Sequence, residues 1–292
     1  MEKTPFQLFD NLIRNRQIEE TNIPELVGFE HHLSDQNIID VSFYYSRDRI
    51  VEMSGANAIL SLTERLLLSS IRQLEQRLNL SLVEDVVTLN GIWLEVDKMR
   101  DRVQIYLNVY PYPLNELKLI PRNLQPMLLD LCSSETISHI GYVLIKQEIC
   151  GFKVLQNIIL SDRLLAQQYS MAPLAKEAMK QLSQTQLQAG YAFLGDAHYE
   201  SSLEVDACPQ HRFTSQERWA ELFQSSLFRK NKWELSRQQI LQQYSYRKFA
   251  NLVQISGINH IKFSQKVESS HTNVKLYSGI LTRYSTDQQW IS

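Results

Sequence analysis

The densest set of residues able to do chemistry lies between Gly195 and His211. It holds His198, His211, Cys208, Asp196, Glu200, Glu204 and Asp206. Cys208-x-x-His211 has workable spacing for two zinc ligands, and a zinc ion wants four. No second Cys-x-x-Cys or His-x-x-x-His pair completes the set. The alternative chemistry is covalent: a thiolate at Cys208 with His198 or His211 as its base. The bland alternative is a polar loop. His31-His32 reads as a solvated pair, and His139 as a packed residue ahead of a strand. Phosphate-loop, dinucleotide, nucleophile-elbow, zinc-protease and kinase patterns are all absent. The reading is therefore of a non-enzymatic protein with no catalytic residue, metal or cofactor assigned.

A second group of residues is basic. Residues 211–292 carry twelve Lys/Arg against five Asp/Glu, a net of +7, although the whole chain is at −2. Arg229, Lys230, Lys232, Arg237, Arg247 and Lys248 cluster there, with Trp233, Tyr244, Tyr246 and Phe249 interleaved. Cations among aromatics suit either an acidic protein surface or a nucleic acid. A pI near 6.4 falls short of the strongly basic footprint of a nucleic-acid binder, so the segment 229–249 is expected to meet a protein partner.

These groups need elements to hold them. Pro5 to Glu19 reads as a helix capped by Thr4. Ile39, Val41, Phe43 and Tyr45 alternate as in a half-buried strand, with Ser46-Arg47-Asp48 as a turn and Ile50 to Met53 as the returning strand. A helix from about Ala56 to Leu78 is broadly apolar, as expected of one laid across a sheet, and Leu66 is placed in its core. Asn90-Gly91 has the chemistry of a two-residue hairpin turn between Val86–Leu89 and Ile92–Val96. Val103, Ile105, Leu107 and Val109 alternate with Gln104, Tyr106, Asn108 and Tyr110. Ile140–Ile145 and Phe152–Leu155 suggest a hairpin around Cys150-Gly151, followed by helix from about Ile158 to Gln188, broken near Pro173. Tyr191–Leu194 and Leu203–Asp206 are weak strands. Thr214-x-x-Glu217 and Ser236-x-x-Gln239 are capping boxes, and a last hairpin turns at Ser269 to Thr272. The pattern is α+β: an antiparallel sheet built from hairpins and covered by helices, with a mixed helical and hairpin C-terminal part. It divides into residues 1–170 and a smaller part, residues 171–292.

No apolar run reaches the ~20 residues that span a bilayer. The N-terminal residues lack a signal-peptide pattern, and three cysteines are too few for a disulfide scaffold, so a cytoplasmic location is expected. The chain has 26 Gln and 15 Asn, dispersed along its length, and only nine glycines. This amide-rich, glycine-poor composition resembles that of DotZ-like accessory components of the bacterial Dot/Icm type IVB secretion coupling complex. The resemblance implies an adaptor that binds partner proteins in a multi-subunit assembly and does no catalysis.

Overall fold

The protein is described from a computed structural model. It describes residues 26–32, 39–60, 62–97, 102–114, 116–132, 134–146, 148–161, 170–182, 185–207, 221–222, 224–225, 248–249 and 253–281. The chain divides into two compact units. One comprises residues 42–158 and 189–200; the other comprises 1–41, 159–188 and 201–292. The α+β class expected from the sequence is what is found.

In the first unit, strand β2 (Ile39–Ser46) is followed by helices α1 (Arg47–Met53), α2 (Leu62–Leu78) and α3 (Leu82–Asp85). Strands β3 (Gly91–Asp97) and β4 (Arg102–Pro113) come next, then α4 (Gln125–Leu131), β5 (Thr136–Ile145) and β6 (Glu148–Ile158). Of strands β7 (Thr185–Leu194) and β8 (Ala197–Ala207), residues 189–200 belong to this unit and the remainder to the other. The hydrogen-bonded order runs from β2 through β8 in chain order. Antiparallel register places Ile105 beside Leu94 and Tyr142, and Tyr106 beside Trp93 and Gly141.

Alternation decides which way each side chain goes. Ile92, Leu94, Ile105, Leu107, Ile140 and Tyr142 form one face and are buried. Three tyrosines tie that face to the covering layer. Tyr45 donates to Thr63 Oγ1 of α2 at 3.1 Å, and Tyr191 to the Leu131 carbonyl of α4 at 3.0 Å. Tyr142 donates to the Leu119 carbonyl. A buried hydroxyl without a partner would cost about 1–3 kcal/mol, so each bond fixes where its helix or turn can sit. On α2, Leu67, Leu68, Ile71 and Leu74 turn inward at helical spacing. Leu66, expected in the core, is only half-buried; Leu67 is fully enclosed.

The second unit contains α5 (Ala172–Gln181), which buries Leu174, Ala175 and Ala178, with Pro173 in its first turn. Pro173 thus starts a helix rather than breaking one. Strands β1 (Leu26–His32), β9 (Lys248–Phe249), β10 (Val253–Lys266) and β11 (Thr272–Leu281) complete it. β11 pairs antiparallel with both β1 and β10, and β10 lies next to β8 and β9. The C-terminal hairpin is found, with Ile261, Phe263, Val274 and Leu276 all buried, but Val267, expected to alternate with Ile261 and Phe263, is exposed beyond the end of β10.

Other local expectations are corrected. Ile50–Met53 is helix, because Ser46 Oγ accepts from Arg49 N at 3.3 Å and the i, i+3 spacing buries Ile50 and Met53 together. Asn90-Gly91 is not a hairpin turn, since Val86–Leu89 forms no strand and Gly91 opens β3. Glycine is needed there for another reason: a Cβ would lie 2.4 Å from the Tyr44 hydroxyl. The β5–β6 turn falls at Lys146, which has φ of 48°, and Cys150 and Gly151 lie within β6. The sequence from Ile158 to Gln188 is helical only over α5 among its described residues. The expected helix at Pro5–Glu19 and both capping boxes lie outside the described residues.

Leu67→Ala should cost about 2–5 kcal/mol of unfolding free energy by chemical denaturation, and Leu66→Ala markedly less. The reverse order would place Leu66 against the sheet.

Candidate functional site

Alternation sends a second set of side chains to the face turned away from the helices, and this set is polar and aromatic. In the unit of residues 42–158 and 189–200 it includes Tyr44, Trp93, Glu95, Arg102, Gln104, Tyr106 and Lys153, brought together by the β3–β4, β4–β5 and β5–β6 registers. Lys153 Nζ donates to the Tyr106 hydroxyl at 2.9 Å and to Gln104 Oε1. The ammonium also stands 5.5 Å from the Tyr106 ring centroid. Tyr106 donates to Gln104 Oε1 at 3.2 Å, and Gln104 Nε2 donates to Glu95 Oε1. Arg102 approaches Glu95 at 4.0 Å. Tyr44 packs on Trp93 with centroids 5.1 Å apart, so two aromatic rings adjoin the charged cluster. Glu95 and Gln104 are buried, which makes their pairing obligatory. Gly141 is part of the same construction. A Cβ there would sit 2.8 Å from the Tyr106 ring, so the ring lies over strand β5 where no side chain stands.

The other unit carries a comparable face on β10 and β11. Lys262 stands between buried Ile261 and Phe263, and Lys275 between buried Val274 and Leu276. The two lysines are register partners and share a side of the hairpin. Each has its own carboxylate: Lys262 Nζ lies 2.7 Å from Glu204 Oε1, and Lys275 Nζ 2.7 Å from Glu30 Oε1. Tyr277 donates to Glu30 Oε2 at 2.5 Å, and His260 stacks on Tyr277 at 4.0 Å with planes 10° apart. Ser264, two residues beyond Lys262, is fully buried, and its hydroxyl finds no hydrogen-bond partner among the described residues.

Of these residues the sequence marks Glu204 for zinc or thiol chemistry and Glu95 as an ordinary carboxylate flanking a surface turn, and it marks no other as a functional group. The available signal was a lysine set between two apolar strand residues, as at Ile261-Lys262-Phe263 and Val274-Lys275-Leu276. Of the residues that were singled out, Asp196 lies next to Gly195 at the β7–β8 turn, where Gly195 has φ of +58°. His198 lies against Tyr191 and Phe193 at 5.9 and 5.5 Å, with Nε2 3.2 Å from the Glu200 carbonyl. Burial pushes its pKa below the ordinary imidazole value. Cys208 and His211 lie outside the described residues, as do Arg229, Lys230, Lys232, Trp233, Arg237, Tyr244 and Arg247. Lys248 lies in β9, where its backbone is paired with Gln254 of β10. Among the described residues, no three His, Cys, Asp or Glu side chains come together as a metal site. Cys132 is buried, and burial pushes its thiol up to about 12.

No family profile matches the sequence, and no curated protein matches it. Solved structures do. The fold is similar to that of 5-dimethylallyltryptophan synthase from Streptomyces coelicolor, with 12% identity, 87% of this chain and 80% of that chain covered, and a TM-score of 0.52. It is similar to NotF prenyltransferase at 9% identity, covering 87% and 80%, with a TM-score of 0.51. It is also similar to PriB in its binary complex with product diphosphate at 12% identity, covering 87% and 79%, with a TM-score of 0.50. The protein thus shares its fold with prenyltransferases.

This finding overturns the resemblance to DotZ-like secretion components, and with it the non-enzymatic adaptor and the expected protein partners. The physical reason is plain. Amide content describes surface polarity, whereas the order in which strands pair defines a fold, and composition carries no information about that order.

Two measurements check the geometry. At pH 8 only about one Cys132 thiol in ten thousand is ionised if its pKa is about 12, so alkylation of that cysteine, mapped by mass spectrometry, should be far slower than that of a model thiol. For His198, folded pKa below unfolded pKa means the unfolded chain binds the proton first. Its contribution to stability is therefore lost as pH falls below the unfolded value of 6.5, and replacement by Phe should flatten the fall in stability over that range.

Proposed function

We propose that the protein is an enzyme of prenyl transfer, which moves an allylic group from a diphosphate donor to an aromatic acceptor. The fold supports this reading, since two of the similar structures are named as a dimethylallyltryptophan synthase and a prenyltransferase, and a third holds product diphosphate. The observation that carries it to this chain is the row Tyr44, Trp93 and Tyr106 beside Lys153 and Arg102 on the strand face away from the helices.

The chemistry asks for that combination. The donor's C–O bond breaks, and the diphosphate leaves with the electron pair. The allylic fragment becomes cationic, and the acceptor ring forms a new bond to it and then loses a proton. Negative charge grows on the leaving oxygens, where fixed ammonium and guanidinium groups stabilise it. Lys153 is held for this by Tyr106 and Gln104, and Arg102 lies 4.0 Å from Glu95. A second pair of ammonium groups, Lys262 and Lys275, lies within the other unit. Aromatic faces such as those of Tyr44 and Trp93 attract a carbocation through the ring quadrupole and exclude the water that would quench it.

Incubation with dimethylallyl diphosphate and tryptophan or another indole or phenol should release diphosphate and give a prenylated acceptor, followed by mass spectrometry. Lys153→Met should lower kcat/KM by about a hundredfold or more with little change in Tm. Diphosphate release no faster than in buffer, with every allylic diphosphate and acceptor tried, would sink the reading.

A further inference from the structure

Lys262 and Lys275 face each other across the β10–β11 ladder, so their Cβ atoms are about 5 Å apart. Two like charges at that separation destabilise a hairpin unless each is compensated. Here each is: Glu204 and Glu30 sit 2.7 Å from the two ammonium groups, and both carboxylates are buried. Between these four side chains the two ammonium groups and the two carboxylates balance. A face that binds a multiply charged anion would be expected to carry surplus positive charge, and this one has its positive charge already occupied.

Resting on the prenyl-transfer reading, we propose that Glu30 and Glu204 are an internal guard: they occupy the Lys275 and Lys262 ammonium groups in the free protein, and a bound diphosphate takes their place. Three features support the exchange. Both lysines point to one side of the hairpin, so a single diphosphate can bridge them. Ser264, on the same side as Lys262, holds a fully buried hydroxyl with no hydrogen-bond partner among the described residues, a donor available to a phosphate oxygen. Glu30 has a second donor in Tyr277, so the carboxylate keeps a hydrogen bond when the lysine turns to the ligand. The guard lowers affinity for the anion. It also keeps the lysines from being buried unpaired when the anion has left, which favours release of product diphosphate.

The test is binding of inorganic diphosphate by isothermal titration calorimetry to the full chain. Glu204→Gln and Glu30→Gln keep the shape and remove the charge, and each should bind diphosphate about tenfold or more tighter than the unaltered protein. Lys262→Met and Ser264→Ala should bind it more weakly. Should the single lysine variant fail to fold, Glu204→Met with Lys262→Met removes both charges together and should fold but lose binding. If the unaltered protein binds diphosphate and the two Gln variants bind no tighter, the guard is overturned while prenyl transfer stands. Binding indifferent to Lys262→Met overturns it equally. If neither the unaltered protein nor any variant binds diphosphate, the prenyl-transfer reading itself fails, and the guard with it.

Discussion

A strand has only two sides, and in this protein both are used. One side of each central strand must bury Ile, Leu, Phe and Tyr against the helical layer. The other side is then fixed by the pleat, with no freedom to choose its direction. Tyr106 faces as it does because Ile105 and Leu107 are committed to the core. The same holds for Lys262 between Ile261 and Phe263. A slip of one residue in register would exchange the two sets, putting charges among the helices and leucines in the polar cluster. The placement of the polar and aromatic groups thus depends on the burial of their neighbours along the strand.

The second constraint is that charge removed from water has to be matched. Glu95 is met by Gln104 and Arg102, Glu30 by Lys275 and Tyr277, Glu204 by Lys262, and on the helix side Glu64 by Arg49 at 2.8 Å. Such pairs add little net stability compared with an apolar filling, because desolvation offsets most of the attraction. Their effect is on specificity of packing: each buried carboxylate admits only the arrangement that keeps its partner in reach.

Much of the sheet was legible in the sequence. The alternation at Val103–Val109 and at Ile261–Phe263, and the leucine spacing of α2, follow directly from the periods of strand and helix. The polar face was legible only as a pattern and not as a cluster. Gln104, Tyr106 and Asn108 have the spacing of an ordinary solvated strand face, and nothing local distinguishes water from an enclosed polar cluster. Likewise Asn90-Gly91 has the chemistry of a turn, while its glycine answers to Tyr44, a residue 47 positions away. The segments that drew the chemical and charge-based arguments, around Cys208 and Trp233, lie outside the described residues. Short motifs were silent because the groups are spread over β2, β3, β4 and β6, and over β1, β8, β10 and β11, so their nearness is a product of pairing.

The Tyr106 ring lies over the bare backbone of Gly141. Neither residue can drift on its own across evolutionary time: a larger residue at 141 displaces the ring, and a smaller residue at 106 leaves a hole above the glycine. In related chains these two positions are therefore expected to vary together, and their joint identity would mark which lineages keep the Lys153 hydroxyl contact and which have rebuilt that part of the strand face.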